Sequence, residues 1–137
     1  MGKAIGIDYG TKRTGIAITD LLQIIATGLT TVPTHELDKF IAEIVERDNI
    51  SCFVIGFPIN LDGSKTDMTS HVNGFIKRLK DKYSSIPIHR IDERFSSKIA
   101  MRSILVSGAK KRTRQNKMLV DKVSATIILQ DYLNSKY

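Results

Sequence analysis

The sequence predicts an α/β fold: a mixed five-stranded sheet carrying helices on both faces. Three observations predict it. Segments of strand and helix character follow one another in the order β-β-β-α-β-α-β-α-α. The first three strands are joined by short turns, which makes them antiparallel neighbours. Strands four and five each follow a helix, which makes them parallel to strand one.

Strand one is read at Lys3–Asp8, an apolar run that closes on an acid and enters the turn Tyr9-Gly10-Thr11-Lys12. Strand two (Thr14–Thr19) follows at once, and strand three (Thr27–Val32) is stopped by Pro33. Thr34 is the expected N-cap of the first helix, with Glu36 and Asp38 well placed in its first turn. Leu37, Phe40, Ile41, Ile44 and Val45 then recur at helical spacing. Strand four, Ser51–Phe57, is apolar nearly throughout, as a central strand covered on both faces should be. Residues 58–64 are rich in turn formers. The second helix carries Met68, Val72, Phe75, Ile76 and Leu79 on one face. Strand five covers about Ile86–Ile91 and ends in Asp92-Glu93-Arg94. Ser96 or Ser97 can cap a third helix that fades at Ser107-Gly108, and a last helix runs from about Lys117 to Leu133. No repeat, linker or low-complexity tract interrupts the chain, so residues 1–137 are expected to form a single domain. This order of elements is ribonuclease-H-like.

Composition excludes some classes. With 42% hydrophobic and 26% charged residues the chain is of ordinary globular type. A lone cysteine, Cys52, cannot pair within the chain and sits in the apolar run Cys52-Phe53-Val54-Ile55, where it reads as core filler. No apolar stretch approaches the roughly 20 residues that span a bilayer, and the N-terminus lacks a secretory pattern, so a cytoplasmic location with no membrane partner is expected. The net charge of +7 is concentrated. From Lys98 to Lys117 there are seven basic residues (Lys98, Arg102, Lys110, Lys111, Arg112, Arg114 and Lys117) and no acid, while acids and bases balance in the remainder. A local excess of this kind is a footprint for a polyanion such as nucleic acid.

Three acids stand where one site can form. Asp8 ends strand one and Glu93 ends strand five; parallel strands bring those ends to one sheet edge, where ligands gather in open α/β sheets. Side-chain alternation puts Asp8 on the face of Ala4 and Gly6, small residues that allow a helix to approach closely. Asp121 opens a stripe with Ala125, Ile128 and Tyr132 on the last helix, so it points toward the sheet. Carboxylates in such places need partners, and three like charges cannot partner one another. Divalent Mg²⁺, or Mn²⁺, resolves the conflict with oxygen ligands and leaves positions for water and phosphate. A pair of such ions about 4 Å apart can drive in-line phosphodiester hydrolysis. Asp8, Glu93 and Asp121 are therefore the candidate catalytic and metal-ligating residues. Lys12 and Arg13 put positive charge beside Asp8, and Lys110, Lys111, Arg112, Arg114 and Lys117 supply the basic tract, all as candidate nucleic-acid contacts. Arg94 stands to pair with Asp92 or with a phosphate. Asn60, Asp62 and Gly63 read as a turn after strand four, at the same edge, with Asn60 a candidate substrate contact. Asp92 faces away from its neighbour Glu93 and reads as structural, and His35, His71 and His89 show no metal-ligand spacing.

Four segments in series, Gly6-Ile7-Asp8-Tyr9-Gly10-Thr11-Lys12, Gly56-Phe57-Pro58 with Asn60 and Asp62-Gly63, Asp92-Glu93-Arg94-Phe95-Ser96-Ser97, and Val120-Asp121-Lys122-Val123-Ser124-Ala125, resemble the YqgF (RuvX) family. That family is described as pre-16S rRNA nucleases and as Holliday-junction-resolvase-like. The resemblance spans essentially the whole chain. It implies a ribonuclease-H-like (RuvC-like) fold and a divalent-metal nuclease, with Asp8, Glu93 and Asp121 at the matching acidic positions. It also implies a part in maturing the 5′ end of 16S rRNA, and ribosome precursors as partners. The related junction resolvases resemble four-carboxylate enzymes; here strand four ends in Gly56-Phe57-Pro58, and Ser124 stands one turn after Asp121, which leaves three acids.

The leading expectation is a metal-dependent nuclease acting on structured RNA, as a monomer or weak homodimer. A Holliday-junction resolvase acting on branched DNA is the nearest rival and needs a two-fold dimer. Actin-like sugar kinases and ATPases also open with an Asp-x-Gly-Thr hairpin, but they close two lobes on the nucleotide and 137 residues supply one. A non-catalytic RNA-binding module of ribosome assembly is the reading outside enzymes.

Overall fold

The computed structural model describes residues 2–58, 63–92 and 113–136, with the backbone alone for 113–118. Five strands form one sheet: β1 (Lys3–Asp8), β2 (Arg13–Thr19), β3 (Ala26–Pro33), β4 (Ile50–Phe57) and β5 (Ile88–Asp92), in the order β3-β2-β1-β4-β5. β1 pairs with β2, and β2 with β3, antiparallel; β1 pairs with β4, and β4 with β5, parallel. The mixed sheet and the directions of its strands are those the sequence predicts. β1 therefore lies at the centre, and its C-terminal end shares an edge with those of β4 and β5.

Helices cover both faces. α1 (Leu37–Arg47) and α2 (Asp67–Lys82) pack Leu37, Ile41, Ile44, Val72, Phe75, Ile76 and Leu79 against Ile5, Ile7, Ile16, Phe53 and Ile55. α3 (Thr113–Lys136) sets Ala125, Ile128 and Leu129 against Ala4, Ala17, Cys52 and Val54 on the opposite face. Both faces of β4 are thus covered, and Cys52 is core filler as expected. The two faces differ in depth. Isoleucines and phenylalanines hold α1 and α2 away from the sheet, whereas small residues let α3 lie almost on it. A Cβ added at Gly6 would lie 2.8 Å from Leu129 Cβ and 2.9 Å from the Ala125 carbonyl oxygen, tighter than packed atoms tolerate. α3 crosses the strands at the distance a glycine permits.

Several boundaries differ from expectation for identifiable reasons. Thr34 is not a side-chain N-cap. It begins a 3₁₀ turn (Thr34–Glu36), and its hydroxyl donates to the Gly10 carbonyl oxygen at 2.6 Å and meets Thr14 Oγ1 at 3.0 Å. α2 has the capping the first helix lacks: Thr66 Oγ1 accepts from Met68 N–H, and Thr69 Oγ1 accepts from Thr66 N–H. Thr69 hydroxyl also donates to the Pro58 carbonyl oxygen at 2.9 Å, tying the end of β4 to the start of α2. α3 begins four residues before the expected Lys117 and ends three after Leu133; its basic first turn carries no apolar stripe to mark it. The helix expected between Ser96 and Gly108 lies outside the described residues.

One acid on α3 sits poorly. Asp131 Oδ2 is buried and accepts no hydrogen bond among the described residues, and burial raises the carboxyl above the ordinary carboxylate range. A raised folded-state pKa contributes stability that is fully present below the unfolded pKa and is lost as pH rises through the folded one. Asp131→Asn is therefore expected to raise Tm by about 2 °C at pH 7 and by nothing near pH 3. Thermal unfolding followed by circular dichroism at the two pH values checks it; a gain of equal size at both would show that ionisation of Asp131 is not the cause.

Candidate active-site cleft

The sheet edge at the end of β1 opens into a cleft of about 320 Å³ lined by Asp8, Tyr9, Gly10, Thr11, Lys12, Arg13, Gly56, Pro58, Met68 and Asp121. Two of the three predicted acids meet there. Asp8, the last residue of β1, is 8% exposed, and Asp121, in the third turn of α3, is 7% exposed. They come from residues 113 positions apart, and the contact that brings them to one wall is traceable. Asp8 stands opposite Gly15 in the β1–β2 register. Gly15 in turn lies directly under the Asp121 carbonyl, with no room for a side chain between them. The glycine across from the first acid is thus the seat of the second.

Positive charge surrounds the pair. Arg13, the first residue of β2, donates its Nε–H to Asp121 Oδ2 at 2.9 Å across the cleft. Lys12 is exposed beside it. A charge-assisted bond to a carboxylate this buried is stronger than one at an open surface, because less water competes for it. The turn that carries both bases is held from below: Thr34 N–H donates to the Lys12 carbonyl oxygen at 2.9 Å, and Thr34 hydroxyl takes the Gly10 carbonyl as described. The opposite wall is less polar. Tyr9 stacks on buried Phe75 with ring centroids 4.8 Å apart and planes 20° from parallel, beside Met68 and Pro58.

Among the described residues, no three His, Cys, Asp or Glu side chains gather in a way that could hold a metal. Glu93 lies outside the described residues. β5 reaches the same edge, since its last residue, Asp92, stands opposite Phe57 at the end of β4. Asn60, Arg94, Lys110, Lys111 and Arg112 also lie outside the described residues, and of Arg114 and Lys117 only their place at the start of α3 is described. Residues not proposed from sequence as part of the site also build the cleft: Tyr9, Met68 and Pro58 line it, and Thr14 and Thr34 brace its turn. Threonines on strands that face a glycine turn were the available signal, but capping chemistry offered Thr34 a more familiar role.

A central β1 flanked by an antiparallel hairpin and two parallel strands, with buried carboxylates at its C-terminal end, defines a protein of the ribonuclease-H-like class. RuvC of T. thermophilus in complex with a Holliday junction substrate superposes on 99% of this chain and 96% of its own with a TM-score of 0.57, at 12% identity. Another Thermus thermophilus RuvC structure gives 0.51 at 11% identity. At such identities the likeness is one of fold. Likeness in sequence is much greater elsewhere. Relatives from Bacteroides thetaiotaomicron and Flavobacterium johnsoniae, each named as a candidate pre-16S rRNA nuclease, are 48% and 46% identical over 136 residues, covering 99% of both chains in each case. A relative of the same name from Porphyromonas gingivalis is 47% identical over 135 residues, 98% of each chain. Residues 2–135 match the RuvX family, described as Holliday junction resolvase, and the chain belongs to that family.

Proposed function

We propose that this protein is a divalent-metal-dependent endonuclease that hydrolyses phosphodiester bonds in structured nucleic acid, with the 5′ end of pre-16S rRNA as its substrate. The observation that carries this reading is the convergence of Asp8 and Asp121, both buried, on a cleft whose turn carries Lys12 and Arg13. The donors fit a hard cation: both are carboxylates, both are desolvated, and neither is a thiolate or an imidazole that would favour a softer metal. Asp8 and Asp121 would hold the metal together with Glu93, the acid that follows β5. Mg²⁺ or Mn²⁺ bound there supplies Lewis-acid activation of a water and of the scissile phosphate.

The chain's own residues do the rest. Lys12, exposed at the cleft mouth, neutralises backbone phosphate and sets the strand's register. Arg13 contributes a guanidinium, the group best shaped to grip phosphate oxygens. The Thr34 bonds to the glycine turn keep Lys12 and Arg13 from drifting relative to Asp8, and such positioning is where much of the rate in phosphoryl chemistry arises. Tyr9, Met68 and Pro58 give a flat, weakly polar wall suited to a ribose or base. Asn60, Arg94, Lys110, Lys111, Arg112, Arg114 and Lys117 extend the nucleic-acid path. The names of the relatives favour rRNA over DNA. We further infer a cytoplasmic protein, acting as a monomer or weak homodimer on ribosome precursors; no helix among the described residues is long and apolar enough to cross a membrane.

The test is a panel of end-labelled substrates: pre-16S rRNA 5′ leaders, unrelated RNA hairpins, duplex DNA and four-way junctions, each with Mg²⁺, Mn²⁺ or EDTA. Metal-dependent cutting of the rRNA leader ahead of the others is expected. Cutting confined to four-way junctions would replace the reading by junction resolution, which the family's description also names. Binding without cutting under every metal would leave an RNA-binding module. The basic tract makes a separate prediction. Replacing Lys110, Lys111, Arg112 and Arg114 by Gln is expected to flatten the slope of log K against log salt by up to about 3.6 for duplex nucleic acid. An unchanged slope in fluorescence-anisotropy titrations would place the polyanion elsewhere.

A further inference from the structure

The reaction proposed above gives Asp121 and Arg13 separate tasks, yet the two side chains are bonded to each other. Arg13 Nε lies 2.9 Å from Asp121 Oδ2, with 37% of the arginine side chain exposed against 10% of the aspartate. A guanidinium does not lose its proton at any pH the protein meets, so this contact is a fixed positive charge on a buried carboxylate. A divalent cation that takes Asp121 as a ligand would draw on the same oxygens and set its own charge against that guanidinium. Arginine and metal are therefore competitors for one group. Lys12 makes the contrast: it is the adjacent residue on the same turn, lines the same cleft, and forms no ion pair among the described residues.

We infer that Arg13 is a cation placeholder on Asp121, displaced when metal binds and thereby released to engage a phosphate oxygen of the nucleic acid. The inference rests on the reading of Asp121 as a metal ligand. In the metal-free protein Arg13 gives a buried carboxylate a hydrogen-bond donor and holds its orientation from 108 residues away in sequence. In the loaded protein the same group is free at the cleft mouth, more than a third of it already open to solvent. Phosphate binding by Arg13 is thus conditional on metal, and by Lys12 unconditional. The arrangement couples the two ligands: the metal liberates an anion-binding group, and a phosphate that holds Arg13 away from Asp121 favours the metal.

Calorimetric titration of Mn²⁺ and Mg²⁺ into the full chain and into Arg13→Gln and Lys12→Gln tests this without reference to activity. Both variants remove one positive charge from the cleft, but only the first removes the guanidinium bond to Asp121 Oδ2. Arg13→Gln is expected to bind metal about tenfold more tightly than wild type, and Lys12→Gln at most about threefold. In the wild-type protein, the Arg13 Nε–H resonance, assigned by through-bond correlation to its own side chain and backbone amide, is expected to shift and exchange faster with water as Mg²⁺ saturates. That measurement stands even if Arg13→Gln folds poorly. Metal binding by wild type with no gain in Arg13→Gln over Lys12→Gln, or an Nε–H signal unmoved at saturation, overturns the placeholder role and leaves the metal site intact. Absence of metal binding in all three proteins overturns the metal reading of Asp121, and this inference with it.

Discussion

Asp8→Asn is expected to reduce metal-dependent cleavage by about a thousandfold or more while leaving the protein folded. Asparagine matches aspartate in size and still accepts hydrogen bonds through its amide oxygen, so a site 8% exposed at the end of the central strand keeps its packing. What it loses is the anionic oxygen donor and the charge that a hard cation needs. A structural role for Asp8 predicts the opposite pattern, with activity retained per folded molecule and Tm lowered. Asp48→Asn serves as the control acid. Asp48 lies just beyond α1, pairs with Lys3 at 3.1 Å and lines no part of the cleft. Cleavage of the rRNA leader by Asp8→Asn at more than a tenth of the wild-type rate, with Asp48→Asn unaffected, would remove Asp8 from the chemistry.

The convergence of Asp8 and Asp121 was legible in the sequence because two simple periodicities carry it. Alternation along Lys3–Asp8 fixed the face of Asp8, and the spacing of Asp121, Ala125, Ile128 and Tyr132 fixed the face of the helix. The structure places Ala125 and Ile128 on that same face of the sheet, against Ala4 and Ala17. Local hydrogen-bond choices were not legible. Thr34 is expected from sequence to cap the first helix, yet its hydroxyl is taken by a carbonyl 24 residues earlier, whereas Thr66, which no sequence signal had singled out, caps α2. Arg13 read as a phosphate contact from its place beside Asp8; its partner, Asp121, is remote in sequence and no spacing rule connects them. The start of the last helix was also hidden. Its first residues, Thr113-Arg114-Gln115-Asn116-Lys117, show the charge of a loop and no apolar stripe. Periodicity reports elements with an apolar stripe, and it is silent on helical turns that lack one.

Gly15→Ala is expected to be more damaging than a methyl addition at Gly2, Gly6, Gly10, Gly28 or Gly74, and for a reason that joins fold to site. The new Cβ would collide with the Asp121 carbonyl oxygen and press on the Lys122 amide. Those atoms belong to helix backbone, so no side-chain rotation relieves the clash; α3 as a whole must lift from β2. Lifting it loosens the contacts of Ala125, Ile128 and Leu129 with the sheet, all of them fully buried. Overpacking of this kind costs about 3 kcal/mol or more. It also carries Asp121 away from Asp8, since Gly15 is the residue through which the two acids share a wall. Metal affinity and stability should therefore fall together. Gly74→Ala is the counterpart: nothing lies within 4 Å of the added atom on the exposed side of α2, and removing a helical glycine should stabilise by about 1 kcal/mol. Urea unfolding separates the two. A Gly15→Ala protein as stable as wild type would mean that α3 does not ride on the sheet at glycine distance, and the path from Asp8 to Asp121 would have to be drawn through other contacts.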